Sequence, residues 1–326
     1  MTSLNQPKLV TVFGGSGFVG RHVVRALARR GYRIRVAVRR PDLAGHLQPL
    51  GGVGQIVAIQ ANLRNRDSVD RAVQGSDHVV NCVGILFESG RNTFDSVQGF
   101  GARAVAEAAR AAGARLTHIS AIGADAESAS DYARSKGLAE AAVAKILPDA
   151  VILRPSIVFG PEDGFFNKFA EMARFAPALP LIGGGETKFQ PVYVGDVAEA
   201  VARSVDGKLI GGTIYELGGA RVMSFKECLE EILKITHRKR ALVTLPWALA
   251  SMIGKIASFI PLIDPPLTGD QVILLKTDNV VSAEATSQSR TLAGMGIAPS
   301  TVEAILPSYL TRYRPHGQYS GTGSEA

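Results

Sequence analysis

Two residues equipped for proton exchange lie four apart in Tyr132-Ala133-Arg134-Ser135-Lys136, a spacing that puts them on one face of a helix. An ammonium beside a phenol favours the phenolate. Such a tyrosine can trade a proton with a substrate oxygen while a hydride moves to or from a nicotinamide. The lysine can also hydrogen-bond the nicotinamide ribose. A Tyr-x-x-x-Lys pair alone is common and usually solvent-facing, so this reading needs a dinucleotide site elsewhere in the chain. Gly14-Gly15-Ser16-Gly17-Phe18-Val19-Gly20 supplies one, directly after a strand and at the opening of a helix. Gly14 allows the tight turn, Gly17 lets the backbone approach a pyrophosphate, and Gly20 lets helix and strand pack closely. The helix start then turns free N–H groups and a positive dipole end toward the phosphates. About 20 residues on, where an NAD site usually carries an acid for the ribose 2′-hydroxyl, stand Arg39 and Arg40. A guanidinium pairs with a 2′-phosphate, so NADP(H) is expected over NAD(H), through both arginines or through Arg39 with Arg40 solvated.

The elements that must position these groups alternate between short β-branched runs and Ala-rich helical stretches. Strands are expected at Leu9–Phe13, Arg33–Val38, Gln55–Gln60, His78–Val83, Leu116–Ser120 and Val151–Leu153. Helices are expected at Phe18–Arg30, Asp67–Val73, Phe94–Ala112 and Tyr132–Ile146. Such alternation gives an α/β fold, a doubly wound parallel Rossmann sheet. After residue 160 the chain is richer in Pro and Gly, and a smaller, interleaved C-terminal α/β lobe is expected. The domains read as 7–160 for dinucleotide binding and 161–312 for the second lobe, with part of 186–210 returning to the sheet and 313–326 a flexible tail. In the second lobe Asp196 is expected to cap the helix that follows it, and Phe225–Thr236 reads as an amphipathic helix. Leu242 to Leu262 is nearly all apolar, and a helix from Trp247 to Ile260, about 21 Å long, falls short of a bilayer core of about 30 Å. It reads either as a buried helix of the lobe or as an interfacial, partner-facing one.

The 326 residues, 46% apolar and 20% charged, exclude wholesale disorder. The net charge of +7 could serve nucleic acid, anionic lipid or an anionic cofactor. No run of five basic residues and only 6% aromatic residues argue against nucleic acid. Cys82 and Cys228 cannot form a disulfide framework, and Cys82 reads as a small core residue. His22, His46, His118 and His316 lack metal spacing, so no metal is expected. Met1 to Lys8 carries neither an apolar leader nor an Arg-rich presequence and leads directly into a strand.

With these motifs in place the chain resembles an extended or atypical short-chain dehydrogenase/reductase. The resemblance rests on Gly14 to Gly20, Asn81-Cys82-Val83-Gly84, Ser120, Tyr132 to Lys136, and Arg154-Pro155-Ser156-Ile157-Val158-Phe159-Gly160-Pro161. It implies that Asn62 and Leu63 border the adenine, with Asn62 in place of the usual Asp. It also implies that Cys82, Val83 and Gly84 line the cofactor, and that Pro155, Ser156 and Ile157 approach the nicotinamide. The family's catalysis further requires a Ser or Thr just after the fifth strand. Ser120 matches the first, generally structural residue of the usual serine run. Ala121 and Ile122 stand where the working hydroxyl is expected.

Longer stretches are similar to a narrower group, the nucleotide-binding accessory subunits of respiratory complex I (alpha subcomplex subunit 9 type), in a bacterial form. They are Ser120 to Asp125, Gly160 to Asn167, Gln190 to Ala198 and Asp270 to Val281. This resemblance, over roughly residues 8 to 312, implies a tightly held NADPH of mainly structural role and complex I subunits as partners. It further implies peripheral contact with the cytoplasmic side of the bacterial inner membrane, or a cytoplasmic location. The alternative is an active NADP-dependent reductase or epimerase on an apolar, quinone-pathway type of substrate, with Tyr132 as acid/base and Lys136 tuning it.

Overall fold

The computed structural model describes residues 7–257 and 268–315. The chain begins β1 (Leu9–Phe13), α1 (Phe18–Ala28), β2 (Arg33–Val38), β3 (Ile56–Gln60), α2 (Arg66–Val73) and β4 (His78–Asn81). It continues through α3 (Phe100–Ala111), β5 (Arg115–Ile119), α4 (Asp131–Ile146), β6 (Val151–Pro155), β7 (Val158–Phe159), α5 (Phe166–Phe175) and β8 (Ala178–Ile182). Then come β9 (Lys188–Phe189), β10 (Val192–Tyr193), α6 (Val194–Val205), β11 (Ile214–Leu217), β12 (Met223–Ser224), α7 (Phe225–Thr236), β13 (Ala241–Leu245) and α8 (Trp247–Ala257). The last helices are α9 (Gly269–Leu274), α10 (Ala283–Ser287), α11 (Val302–Ile305) and α12 (Pro307–Leu310). The chain divides into two compact units. Unit 1 is 1–155, 195–216 and 284–297, and unit 2 is 156–194, 217–283 and 298–326.

Unit 1 is built on a seven-stranded sheet in the order β11-β6-β5-β4-β1-β2-β3. The central pairs are parallel, with Val10 opposite both Ile34 and His78, and Val12 opposite both Val36 and Val80. Strands covered on both faces read as continuous apolar runs, and Leu9-Val10-Thr11-Val12-Phe13 does so because helices lie on either side. α1 turns Val23, Val24 and Leu27 inward. α3 buries Ala102, Ala104, Val105, Ala106, Ala108 and Ala109, small residues that let the helix lie close to the strands. The core under α3 and α4 joins these to Phe13, Val79, Leu116, Val143 and Ile152. β1 ends at Phe13, just before Gly14, and its parallel neighbours in the sheet end on the same side, so the expected chemistry falls at the carboxyl ends of the strands.

Unit 2 holds an aromatic core. Phe165, Phe166, Phe169, Phe189 and Phe225 meet mostly edge to face at 5.1–6.4 Å. α7 starts with a capping box, Ser224 accepting from the Glu227 amide while the Glu227 carboxylate accepts from the Ser224 amide. β8 and β13 pair in parallel from Ala178–Ala241 to Ile182–Leu245. Gly183, at φ 59°, lies against the Trp247 ring so tightly that a Cβ there would fall 2.0 Å from it. On α8, Ala250 is fully buried while Leu249, Met252 and Ile253 are exposed. Residues 258–260 of the expected helix lie outside the described residues.

Several expectations change in detail. β4 stops at Asn81 and leaves Cys82 just beyond it. The first five residues of the expected helix after Phe94, Asp95–Gly99, are wound as a π-helix before α3 begins. Asp196 lies inside the first turn of α6 rather than ahead of it, so its carboxylate meets the positive helix end from within. Tyr313, expected to open the flexible tail, is buried in unit 2, where its hydroxyl donates to Asn167 at 3.0 Å and its carbonyl accepts from Arg238 at 2.8 Å. An aromatic residue in a polar stretch is enough to anchor it. The remaining residues of that tail, 316–326, lie outside the described residues.

Candidate functional site

The glycine loop is the tightest part of unit 1. Gly14 takes φ +73°, a conformation that favours glycine, and its amide donates to Ala37 at 3.2 Å. A Cβ on Gly15 would fall 2.8 Å from Val36, and one on Gly20 would fall 2.1 Å from the Gly14 carbonyl oxygen. The Gly17 amide closes the turn on that same oxygen at 3.0 Å. Gly17 is the N-cap of α1 and has no side chain to cap it. The first amides of the helix are therefore left for an external acceptor, which suits a phosphate. Ser16, Phe18 and Val19 are half-buried along the loop. Gly14 also packs on the next strand end, its Cβ position 3.0 Å from Val83 Cγ2.

Past β2, Arg39 and Arg40 are both exposed but differ in engagement. Arg40 forks onto Asp42 at 3.0 and 2.7 Å, whereas Arg39 makes one long contact to Asn92 at 3.4 Å. Arg39 thus keeps an uncompensated guanidinium. Asn62 is spent on its own turn, its side-chain oxygen accepting from the Arg64 amide at 3.1 Å. Leu63 is buried against Gly101.

α4 begins at its Ser130 N-cap, whose hydroxyl accepts from the Ala133 amide, and this sets Tyr132 in the first turn with Lys136 one turn on. Tyr132 is half-buried, edge to face with Phe94 at 6.1 Å. Lys136 is 4% exposed and donates to the Ile119 carbonyl at 3.2 Å. Burial pulls its ammonium down to about 8, with Glu140 and Cys82 acting in the opposite sense. Gly84 lies close beside it, where a Cβ would meet Nζ at 3.2 Å. Burial pushes the Cys82 thiol up to about 12, which removes it as a nucleophile. Just past β5, Ser120 is buried and its Oγ has no hydrogen-bond partner among the described residues. Ala121 and Ile122 follow, so no second hydroxyl follows within two residues.

The structure brings Gly14 to Gly20, Cys82, Val83, Gly84, Ser120, Tyr132, Lys136 and Pro155 to the carboxyl ends of β1, β4, β5, α4's first turns and β6, all within unit 1. Ser156 and Ile157 belong to unit 2. There the Ser156 hydroxyl is engaged by Asn279, at 2.8 Å to its carbonyl and 2.7 Å to its side chain. Three groups were not read as partners from the sequence. Gln98, in the π-helical turn, donates to the Ile85 carbonyl at 2.6 Å and accepts from Ser135 at 2.6 Å, tying the loop after Gly84 to α4. Glu140, buried one turn beyond Lys136, is clamped by Arg154 at 2.9 and 2.6 Å. Asn81 and His118 face each other across β4 and β5 at 3.2 Å. The first of these depends on a π-insertion and the last on a strand register, and neither is written in residue type. Among the described residues no three His, Cys, Asp or Glu side chains gather as a metal site.

An uncapped helix start above a glycine turn, beside a buried lysine, defines a nucleotide-binding Rossmann protein, and the comparisons agree. The chain belongs to the NAD dependent epimerase/dehydratase family, whose sequence profile matches residues 10–218. It is 33% identical over 326 residues to the mitochondrial NADH dehydrogenase [ubiquinone] 1 alpha subcomplex subunit 9 of Arabidopsis thaliana, covering 96% of this chain and 80% of that protein. It is 32% identical over 240 residues to a ceramide reductase of Caulobacter vibrioides, covering 73% of this chain and 74% of that one. In fold it is similar to a solved NADPH-dependent quinone oxidoreductase of Escherichia coli complexed with NADPH. The TM-score there is 0.71 at 20% identity, over 93% of this chain and 99% of the other.

Proposed function

We propose that this chain is an NADPH-binding accessory subunit, or an assembly and stability factor, of respiratory complex I, with its bound cofactor mainly structural. The observation that carries the reading is similarity across 96% of the chain to a complex I subunit, joined to a site with its phosphate loop intact and its oxygen-binding hydroxyl replaced by Ala121 and Ile122. Loss of such a donor typically costs about 10²–10³ in rate. In this reading the loop from Gly14 to Gly20 takes the pyrophosphate on the amides left free at the start of α1, and Asn62 and Leu63 border the adenine. Cys82, Val83, Gly84 and Pro155 flank the nicotinamide end, and Lys136 and Tyr132 hold its ribose. Arg39 takes the 2′-phosphate, with Arg40 secondary because Asp42 already neutralises it. The nicotinamide would supply hydride chemistry if a substrate were present.

A peripheral place on the cytoplasmic side of the bacterial inner membrane goes with this reading. Leu249, Met252, Ile253 and Val243 form exposed apolar surface in unit 2. In the same unit Arg238 is held below its ordinary range by burial and by Arg240 and Arg174. Among the described residues no helix is long and apolar enough to cross a membrane.

Native co-fractionation tests the proposal. Membranes solubilised in mild detergent and separated by size should carry this chain, with NADPH, at the position of NADH dehydrogenase activity. Migration as a free small protein would overturn it. The ceramide reductase relative favours a second reading, reduction of a carbonyl on an apolar substrate. There Tyr132 would give its proton to the carbonyl oxygen and Lys136 would stabilise the phenolate left behind, while a bound nicotinamide would supply the hydride chemistry. Tyr132→Phe should then abolish turnover while NADPH binding changes less than about threefold; undiminished turnover would remove that mechanism.

A further inference from the structure

Three buried side-chain atoms lack a hydrogen-bond partner among the described residues, and two of them, His118 Nε2 and Ser120 Oγ, are two residues apart at the end of β5. Alternation along a strand puts both side chains on one face, their Cα atoms about 6.5–7 Å apart, and with the longer imidazole leaning along the strand one oxygen can sit between Nε2 and Oγ. Leu116, on that same face, packs in the core with Ala139 and Val143 of α4, so it is the α4 side, where Lys136 also lies. His118 senses Lys136, since after burial the lysine's charge is the second cause holding the imidazole down at about 3.

The tautomer of His118 follows from its neighbour. The Asn81 side-chain oxygen accepts from the Val83 amide at 3.1 Å, so its NH₂ is the end that meets His118 Nδ1 at 3.2 Å. Nδ1 is therefore an acceptor, and the ring proton sits on Nε2. Lys136 uses one of its three donors on the Ile119 carbonyl. The cluster has donors in excess and wants an oxygen. A buried N–H left without an acceptor costs about 1–3 kcal/mol, and such groups commonly hold an ordered water.

We propose that His118 is a positioning residue of the dinucleotide site, held by Asn81 as its Nε2–H tautomer and sharing with Ser120 one buried water that links them to Lys136. This rests on the dinucleotide reading above. The water fixes the lysine against the β5 end, so that its remaining donors are presented to the ligand in one orientation. Asn81 thereby connects the end of β4 to the lysine of α4 without touching ligand itself.

The test has two arms on the full chain. In the free, ¹⁵N-labelled protein, His118 should show the Nε2–H tautomer, unchanged between pH 5 and 8, with a cross-peak from that proton to bound water. An Nδ1–H tautomer, titration near pH 6.5, or no water cross-peak overturns the proposal. In the second arm NADPH is titrated by fluorescence. His118→Asn, which loses the Nε2 donor, and Ser120→Ala should each bind about threefold to tenfold more weakly, whereas His118→Gln, which keeps a donor there, should stay within about twofold. Equal affinity for His118→Asn, Ser120→Ala and wild type overturns the proposal, and thermal melts show whether each variant is folded. Failure of the wild type itself to bind NADPH would remove the dinucleotide reading, while the first arm still decides the state of His118.

Discussion

Gly20→Ala tests the phosphate loop most directly. Alanine is the better helix former by about 1 kcal/mol, so on propensity alone α1 should gain. The new Cβ, however, would fall 2.1 Å from the Gly14 oxygen, 2.6 Å from Gly15 Cα and 2.8 Å from the Gly14 carbonyl carbon. Ordinary contact is about 3.5 Å, and all three neighbours are backbone, so no side chain can swing aside. Either α1 or the turn must retreat by about 1 Å. Overpacking of this kind costs about 1–3 kcal/mol, and the propensity gain offsets only part of it. A melting temperature lower by up to about 3 °C is expected. Because the retreat moves the helix amides off the pyrophosphate, NADPH affinity should fall about tenfold to a hundredfold, the worth of one charge-assisted hydrogen bond. Gly45→Ala, whose Cβ would meet nothing within 4 Å, is the control and should leave both quantities unchanged. A Gly20→Ala protein that melts and binds NADPH like wild type would refute the close-packing argument.

Arg39→Ala should weaken NADPH about tenfold and leave NADH nearly unchanged, with a much smaller effect from Arg40→Ala, as titration of the two cofactors at low salt would show. For Lys136, the pKa of about 8 lies below its ordinary 10.5, so the folded state sheds the proton first. The penalty for burying its charge is therefore full below pH 8 and is relieved as the pH rises from 8 to 10.5. Urea denaturation of Lys136→Met against wild type should show the variant's advantage shrinking across that window, by on the order of 3 kcal/mol. Glu140→Ala leaves the Arg154 guanidinium without its buried partner and should cost about 3–5 kcal/mol in the same assay.

The strand–helix alternation and the glycine spacing made the first unit legible, because a parallel sheet covered on both faces writes itself as apolar runs and a phosphate turn writes itself as glycines. Tyr132 and Lys136 were legible for the same reason, since a four-residue spacing has one meaning on a helix. What stayed hidden depends on register or on a change of helical winding. Asn81 meets His118 only because β4 and β5 align residue for residue, and Gln98 reaches Ile85 and Ser135 from a π-turn inside what reads as regular helix. The sequence left open whether Arg40 shares the work of Arg39, and Asp42, two residues on, holds it. Tyr313 looked like tail because its neighbours are polar, whereas a single buried ring determined its place.

The chain passes between its two compact units five times, leaving the first at 155 and returning over 195–216 and 284–297. For a protein made from its N-terminus on the ribosome, this sets a timetable. The strands from β1 to β6 can emerge and pair early, but the edge beside β6 stays open until Ile214–Leu217 has been synthesised. An exposed parallel edge is a template for misassociation, so the nascent chain is vulnerable over that interval. A fragment ending at 155 would keep the glycine loop and the Tyr132–Lys136 pair yet never close its sheet. The nucleotide-binding half is thus a folding unit without being a contiguous piece of sequence.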